Sequence, residues 1–353
     1  MTKCAELANL IGNINAGGGG VNRNFLINSA MTVAQRGVSF SQTTSSNYTL
    51  DRWQAIIGSS FNLDTTITQS TTVPSGQGFK NSLKVEADSA VTPSGSDNGG
   101  IAQKLEQHDV ERLMYGTSDA KSVTLSFWVR SNKTGIYCVQ LQVNQGSSTT
   151  SQKYSHIKEY TINSADTWEK KILTFPGLTA QTFNATSSNA EALRVNWWLA
   201  VGSSDHLSAD TWAQTQGFAS TSNQVNFMDS ADNEWYLCGC QLEIGQNATT
   251  FEHEPFERTL AKCQRYFQFI ELSTTFRVVN TSEYADFFRF HNEMRAAPTA
   301  AVVTQFQYWN VGTPTNVTPQ FDTKIGGSSI VLPSLSANGN GFFGGKASFA
   351  SEL

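Results

Sequence analysis

Alternation of apolar and polar residues at a period of two runs through most of this chain, and it restricts the fold more than any other pattern. Val123-Thr-Leu-Ser-Phe-Trp-Val-Arg130 places Val123, Leu125, Phe127 and Val129 on one face. Ile136 to Val143 does the same with Tyr137, Val139, Leu141 and Val143, and Leu193 to Val201 and Glu234 to Ile244 continue the pattern. A period of two is the signature of a half-buried strand, since successive side chains of a strand point to opposite faces. Ser-, Asn- and Gly-rich stretches such as Gln145–Ser151 and Thr186–Asn189 separate the segments. Short strands joined by polar loops from Val21 to Phe256 predict a two-sheet sandwich, and among sandwiches a jelly roll.

Composition supports an all-β chain. Charged residues make up 15% of the 353, against about 25% in an ordinary globular protein. With 39% hydrophobic and 11% aromatic residues the chain still has the means to build a core. At about 150 residues per domain, the length suits two or three domains. The net charge of −5, with 24 basic and 29 acidic residues and no basic block, excludes the positive stripe that nucleic-acid binding requires. No run of 18 apolar residues and no signal-peptide pattern is present, so we expect no membrane insertion, and synthesis in the cytoplasm without a signal peptide. The five cysteines (Cys4, Cys138, Cys238, Cys240, Cys263) fit no disulfide framework and no zinc-ligand spacing. They read as reduced, mostly buried small hydrophobes.

Two segments break the strand pattern. From Thr2 to Ile14, Cys4, Leu7, Ile11 and Ile14 recur at helical spacing, followed by Gly17–Gly20, which reads as a hinge. Residues 1–20 therefore form an anchor helix and tether. The apolar stripe, Leu7, Leu10, Ile11 and Ile14, either meets a larger assembly or docks on its own domain. From Phe256 to Ile270, Phe256, Leu260, Cys263, Phe267 and Ile270 alternate spacings of four and three, with Pro255 at a helix start. That is an a/d seam of about two heptads; Leu260, Cys263, Phe267 and Ile270 either line a symmetry axis or pack on their own sheet. Strand patterns then return through Tyr284–Phe290, Thr299–Trp309 and Phe342–Phe349, so residues 257–353 read as a linker helix and a smaller C-terminal β domain after the jelly roll at 21–256.

Three groups of residues, taken together, resemble bacteriophage tail-fibre and related virion surface proteins. The first runs from Asn24-Phe-Leu-Ile-Asn28 through Val33-Ala-Gln-Arg-Gly37 to Tyr48-Thr-Leu-Asp-Arg-Trp53. The second is Gln241-Leu-Glu-Ile-Gly245 with Phe251-Glu-His-Glu-Pro255 and Leu260 to Phe267, and the third is Met294-Arg-Ala-Ala-Pro298 with Ala350-Ser-Glu-Leu353. The resemblance implies a carbohydrate-binding-module-like jelly roll, a homotrimer and a place on the virion surface. It also implies contact with other virion proteins through the N-terminal helix and with host-surface glycans. A capsid decoration fibre is the alternative, and a polysaccharide depolymerase a lesser one.

Catalysis is not expected. The five histidines (His108, His156, His206, His253, His291) are scattered singly, and no GxSxG, HExxH or P-loop is present. Glu243, Glu252, Glu254 and Glu257 form the densest acidic group; Glu252 and Glu254, flanking His253, read as surface or intersubunit ion-pairing residues rather than as a glycosidase pair. Binding has better candidates, because sugar sites pair a flat aromatic with amides, carboxylates or Arg. Trp128 and Arg130 share the polar face of one strand, and Arg194, Asn196 and Trp198 that of another. The two strands together would make a glycan platform, unless a loop or a neighbouring subunit covers the tryptophans. Tyr308 and Trp309, before the loop Asn310–Asn316, are the competing site. No cofactor is expected, and no metal: where related jelly rolls hold calcium, this chain offers Asn24, Asn28, Gln241 and Glu243, mostly amides.

Overall fold

The computed structural model describes residues 3–15, 22–43, 46–58, 61–144, 153–180, 188–214, 219–277, 283–309, 316–321, 325–331 and 340–352. For 9, 13–15, 271–277, 283–289, 300–309, 316–321, 325–331 and 340–347 the description is of the backbone alone. The Gly17–Gly20 tether lies outside the described residues. The chain folds as two units, Met1–Phe256 and Glu257–Glu352.

In the first unit, helix α1 (Lys3–Asn15) precedes twelve strands. These are β1 (Ser39–Gln42), β2 (Gln54–Gly58), β3 (Thr65–Ser70), β4 (Ser82–Ala87), β5 (Asn98–Glu106) and β6 (Val123–Ser131). Then come β7 (Gly135–Val143), β8 (Tyr154–Ile162), β9 (Glu169–Phe175), β10 (Glu191–Val201), β11 (Trp212–Gln214) and β12 (Glu234–Ile244). A single-turn helix, α2 (Gln107–Val110), follows β5. The strands form two six-stranded sheets, ordered β1-β3-β4-β12-β6-β9 and β11-β8-β7-β10-β5-β2. Every pairing within them is antiparallel. The chain crosses repeatedly from one sheet to the other, and the result is a jelly-roll sandwich.

The alternating residues fill the space between the sheets. Val123, Leu125, Phe127 and Val129 of β6, and Tyr137, Val139, Leu141 and Val143 of β7, are fully buried. So are Val195, Trp197 and Leu199 of β10. Trp197 sits at the centre, its ring 5.5 Å from that of Trp53 and 5.8 Å from that of Phe127. Burying such rings removes their apolar area from water, each worth roughly 2–3 kcal/mol. Of the cysteines, Cys138, Cys238, Cys240 and Cys263 are buried, Cys4 is exposed on α1, and all five are free thiols.

Helix α3 (Phe256–Gln264) starts at the last residue of the first unit, and the second unit continues through β13 (Phe267–Arg277), β14 (Glu283–Arg289), β15 (Thr299–Trp309), β16 (Asn316–Phe321), β17 (Ile325–Val331) and β18 (Asn340–Ala350). They pair as two three-stranded antiparallel sheets, β13-β18-β15 and β14-β17-β16. The expected helical seam is shorter than its spacing suggests. The Tyr266 amide bonds the Cys263 carbonyl in a turn, and Phe267 and Ile270 fall on β13. A strand sends residues three apart to opposite faces, so Leu260, Cys263, Phe267 and Ile270 do not form one continuous helical stripe. Cys263, Phe267 and Ile270 are nevertheless buried, and Leu260 is half-buried.

Candidate functional site: two polar faces on opposite sheets

The expected platform of two adjacent strands does not form. Trp128 and Arg130 lie on β6 in the first sheet, whereas Arg194, Asn196 and Trp198 lie on β10 in the second. Each set faces away from the shared core, so the two sets occupy opposite sides of the sandwich.

On the first sheet the residues build an aromatic and cationic patch. Register places Tyr236 of β12 between Arg130 of β6 and Lys84 of β4. The Arg130 guanidinium lies 4.8 Å from the centre of the Tyr236 ring, and the Lys84 ammonium 5.8 Å, within cation–π range. Trp168, in the turn before β9, meets Tyr236 edge-on at 6.0 Å. Arg130 is held by Asp166, donating through Nε to its carbonyl at 2.9 Å and through a terminal nitrogen to its carboxylate at 2.7 Å. Lys84 bridges Glu86 at 2.7 Å and Glu234 at 2.8 Å. Burial alone would lower the Lys84 pKa, but these two hydrogen bonds outweigh it and hold the ammonium above its ordinary value. Tyr236 is pushed up by burial and by its hydrogen bond to Glu234. Trp128, opposite Lys170 of β9, is half-buried, as is Trp168, and Ile172 beside them is 49% exposed. The face thus offers fixed, partly exposed rings next to charged hydrogen-bonding groups.

On the second sheet, Asn196 and Trp198 are buried, at 1% and 5% exposure. Trp198 packs with Ile56, Ala102 and Ala219, and both side chains donate to Gln140 Oε1, at 2.7 and 3.1 Å. The segment around Ala219 covers the tryptophan, so it presents no stacking surface. Arg194 is partly exposed and chelates Glu191 through Nε at 2.8 Å and a terminal nitrogen at 2.9 Å.

The remaining candidates are placed as follows. Tyr308 and Trp309 fall on β15, and their side chains lie outside the described residues. On α1, Leu7 and Ile11 are 57% and 48% exposed, Leu10 is half-buried, and the Ile14 side chain is not described. The helix borders a cavity of about 430 Å³ lined by Gly12, residues 118–122 and residues 245–247. The Glu252 carboxylate accepts the backbone amides of Asn22 and Arg23, at 2.7 and 3.0 Å. Glu243 is buried, and takes Gln241 Nε2 at 2.9 Å and the Thr249 amide at 2.8 Å. Among the described residues no group of three or more His, Cys, Asp or Glu side chains is placed to hold a metal ion. Among them, too, no helix is long and apolar enough to cross a membrane.

Lys84, Trp168, Ile172 and Tyr236 were not distinguished by sequence. They sit on three different segments, β4, β9 with the turn before it, and β12, and only the pairing register brings them beside Trp128 and Arg130.

No protein-family model matches the chain, and no curated protein does. Among solved structures the chain is similar to the enzymatically active domain of tailspike protein 4 of bacteriophage CBA120, at 11% identity and a TM-score of 0.33, over 63% of this chain and 21% of that one. It is also similar to the CBM22-2 xylan-binding domain from Paenibacillus barcinonensis, at 15% identity and a TM-score of 0.31, over 58% and 98%. A third is the family 11 carbohydrate-binding module of a cellulosomal cellulase of Clostridium thermocellum, at 13% identity and a TM-score of 0.28, over 62% and 98%. The matched part spans about a fifth of the tailspike domain's length. The first unit has a jelly-roll fold.

Proposed function

We propose that this chain is a non-enzymatic glycan-binding protein of a bacteriophage virion surface, a trimeric tail fibre or receptor-binding protein. The observation that carries the binding part is the outer face of the first sheet. There Trp128, Trp168 and Ile172 give apolar surface for the C–H faces of a sugar ring, and Arg130, Lys84 and Glu234 give hydrogen-bonding groups for its hydroxyls. The ion pairs that fix Arg130 and Lys84 lower the entropic cost of presenting them. The virion part rests on the sequence resemblance, with the exposed Leu7 and Ile11 of α1 as the contact to other virion proteins. Three weak sites on one axis would act by avidity.

The test is immunogold labelling of intact virions with antibody to residues 21–353, beside adsorption in the presence of that fragment and of its Trp128→Ala/Trp168→Ala double variant. Label at the tail, adsorption blocked by the fragment and not by the variant, is the expected result. Label over the head with adsorption unchanged overturns receptor binding and leaves a decoration fibre. Sedimentation of the full chain as a monomer overturns the trimer.

A further inference from the structure

The end of the jelly roll holds a group of buried side chains, away from the aromatic patch, that unites a nucleophile, a base and an electrophile. Gln241 and Glu243, two apart on β12, point to the same face. The chain leaves β12 through Gly245, whose φ of +117° helps to turn it back, and Thr249 comes to lie against both. Gln241, Glu243 and Thr249 are buried, at 0%, 1% and 4% exposure.

Thr249 carries a hydroxyl, Glu243 a carboxylate and Gln241 a primary amide, and the contacts give each a distinct part. The Thr249 hydroxyl donates to Glu243 Oε2 at 2.7 Å, so a base stands at the proton that the oxygen must lose to become a nucleophile. Gln241 Nε2 donates to the other carboxylate oxygen, Oε1, at 2.9 Å, and to Thr249 Oγ1 at 3.0 Å. Gln241 Oε1 accepts the backbone amide of Glu252 at 2.8 Å. A backbone N–H only donates, so this contact fixes which end of the Gln241 amide is oxygen. It also sets a donor where negative charge collects when the amide carbon is attacked. Arg23 Nε donates to Thr249 Oγ1 at 2.9 Å and lies 3.8 Å from Glu243 Oε2, a positive charge beside the reacting oxygen.

The reacting atoms are close. The amide carbon Cδ is about 1.3 Å from Nε2, so Oγ1 lies no more than about 4.3 Å from it. Attack needs about 3–3.5 Å, an approach that small rotations about the side-chain bonds of Thr249 and Gln241 supply.

We propose that Thr249 and Gln241 join in an intramolecular ester that the folded chain forms by itself, with Glu243 as general base. Oγ1 attacks Cδ as Glu243 takes the hydroxyl proton, and the Glu252 N–H holds the oxyanion that develops on Oε1. The Cδ–Nε2 bond then breaks, Glu243 passes the proton to the nitrogen, and ammonia leaves. Nothing is oxidised or reduced, and the carboxylate ends as it began. Burial serves both stages, since water can neither replace the hydroxyl as nucleophile nor reach the product to hydrolyse it. The ester closes a small ring after β12. It thereby pins the stretch that leads to Glu252, whose carboxylate holds the Asn22 and Arg23 amides at the start of the jelly roll. Nothing in this step depends on glycan binding.

The test is the intact mass of the purified full chain. The expected value is one ammonia below the mass of the sequence, with or without Met1. Cleavage after Glu243 and Glu252 puts Gln241 and Thr249 on separate peptides, which should stay joined and come apart in hydroxylamine, a reagent that cleaves esters. Thr249→Val and Glu243→Gln should each restore the full mass, and Thr249→Ser should keep the loss. Circular dichroism establishes that the variants fold; should they not, the wild-type mass and its joined peptides decide alone. A wild-type chain at the full mass of its sequence overturns the ester. So does a loss of ammonia that persists in Thr249→Val or leaves the two peptides unjoined, because either places the loss elsewhere. An ester that forms equally in Glu243→Gln overturns the part given to that carboxylate.

Discussion

Asp51 holds Gln35 at both ends of its carboxylate: Oδ2 accepts the Gln35 amide and Oδ1 its side-chain Nε2, each at 2.6 Å. Asp51 is fully buried, and its carbonyl accepts Asn28 Nδ2 at 2.9 Å, while Trp53 Nε1 donates to the Asn28 carbonyl at 3.0 Å. These contacts tie three separated stretches of the N-terminal sequence together at the edge of the core. Asp51→Ala leaves the Gln35 donors without their acceptor. We expect a loss of about 2–4 kcal/mol, read as a lower midpoint in urea with an unchanged slope. A loss under about 0.5 kcal/mol would mean that the network is not a stabilising unit.

Gly239 marks the bulge in β12, where the register with β6 shifts between Cys238 and Gln241. Its φ is +60°, and a Cβ there would stand 2.5 Å from the Phe79 ring. Gly239→Ala pays for the left-handed backbone, about 1–2 kcal/mol, and for displacing Phe79 as well. We expect at least about 2 kcal/mol of destabilisation, and partial recovery in the Gly239→Ala/Phe79→Leu double variant. Additive single effects in that double-mutant cycle would show that the ring is not the obstacle.

The faces of the strands were legible from alternation alone, because burial between two sheets enforces a period of two over each segment: every core residue expected on β6, β7 and β10 is buried. Which strands are neighbours was not legible. Trp128 and Trp198 carry the same local pattern, yet β6 and β10 lie in different sheets, and that partition depends on pairings over a hundred residues apart in sequence, such as Tyr236 with Arg130. The spacing of Leu260 to Ile270 suited a helix, but four apolar positions across a turn suit a helix end followed by a strand equally well. The motifs that carry the family resemblance proved architectural. Asn24 Oδ1 accepts the Leu242 amide at 3.0 Å, joining the beginning of the jelly roll to its last strand. A resemblance carried by such residues speaks to the fold.

Arg295 meets Ser351 and Glu352 in the second unit. Arg295 donates through Nε to the Ser351 carbonyl at 2.6 Å and through a terminal nitrogen to the Glu352 carbonyl at 2.9 Å. Ser351 in turn donates its amide to the Tyr266 carbonyl at 2.8 Å. Arg295→Met should release this end, costing about 2 kcal/mol and speeding hydrogen exchange at the Ser351 amide. Arg295→Lys should recover less than half, since an ammonium lacks the planar fork that reaches both carbonyls. Exchange at Ser351 equal to wild type in the Met variant would remove the clamp.

His156 is fully buried on β8, its ring 5.3 Å from that of Phe175 and 5.2 Å from that of Trp212. Burial is the main cause that lowers its pKa from 6.5 to about 4; Lys158 adds to the shift and Asp210 opposes it. A base with a folded pKa below its unfolded value takes up its proton in the unfolded chain first. Stability is therefore unaffected above about pH 6.5 and falls as the pH drops from there towards 4. By linkage the loss is about 2 kcal/mol between pH 7 and 5, and about 3 by pH 4. Carboxylates held low, such as Glu169 at about 2, lose their contribution only at lower pH. Urea denaturation of wild type and His156→Leu from pH 7.5 to 4.5 separates the two effects, because both proteins carry the same carboxylates. The difference between them should shift by about 2 kcal/mol in favour of Leu as the pH falls from 7 to 5. Parallel curves would mean that the imidazole is protonated inside the fold as readily as outside it, and that the Phe175–Trp212 pocket admits water.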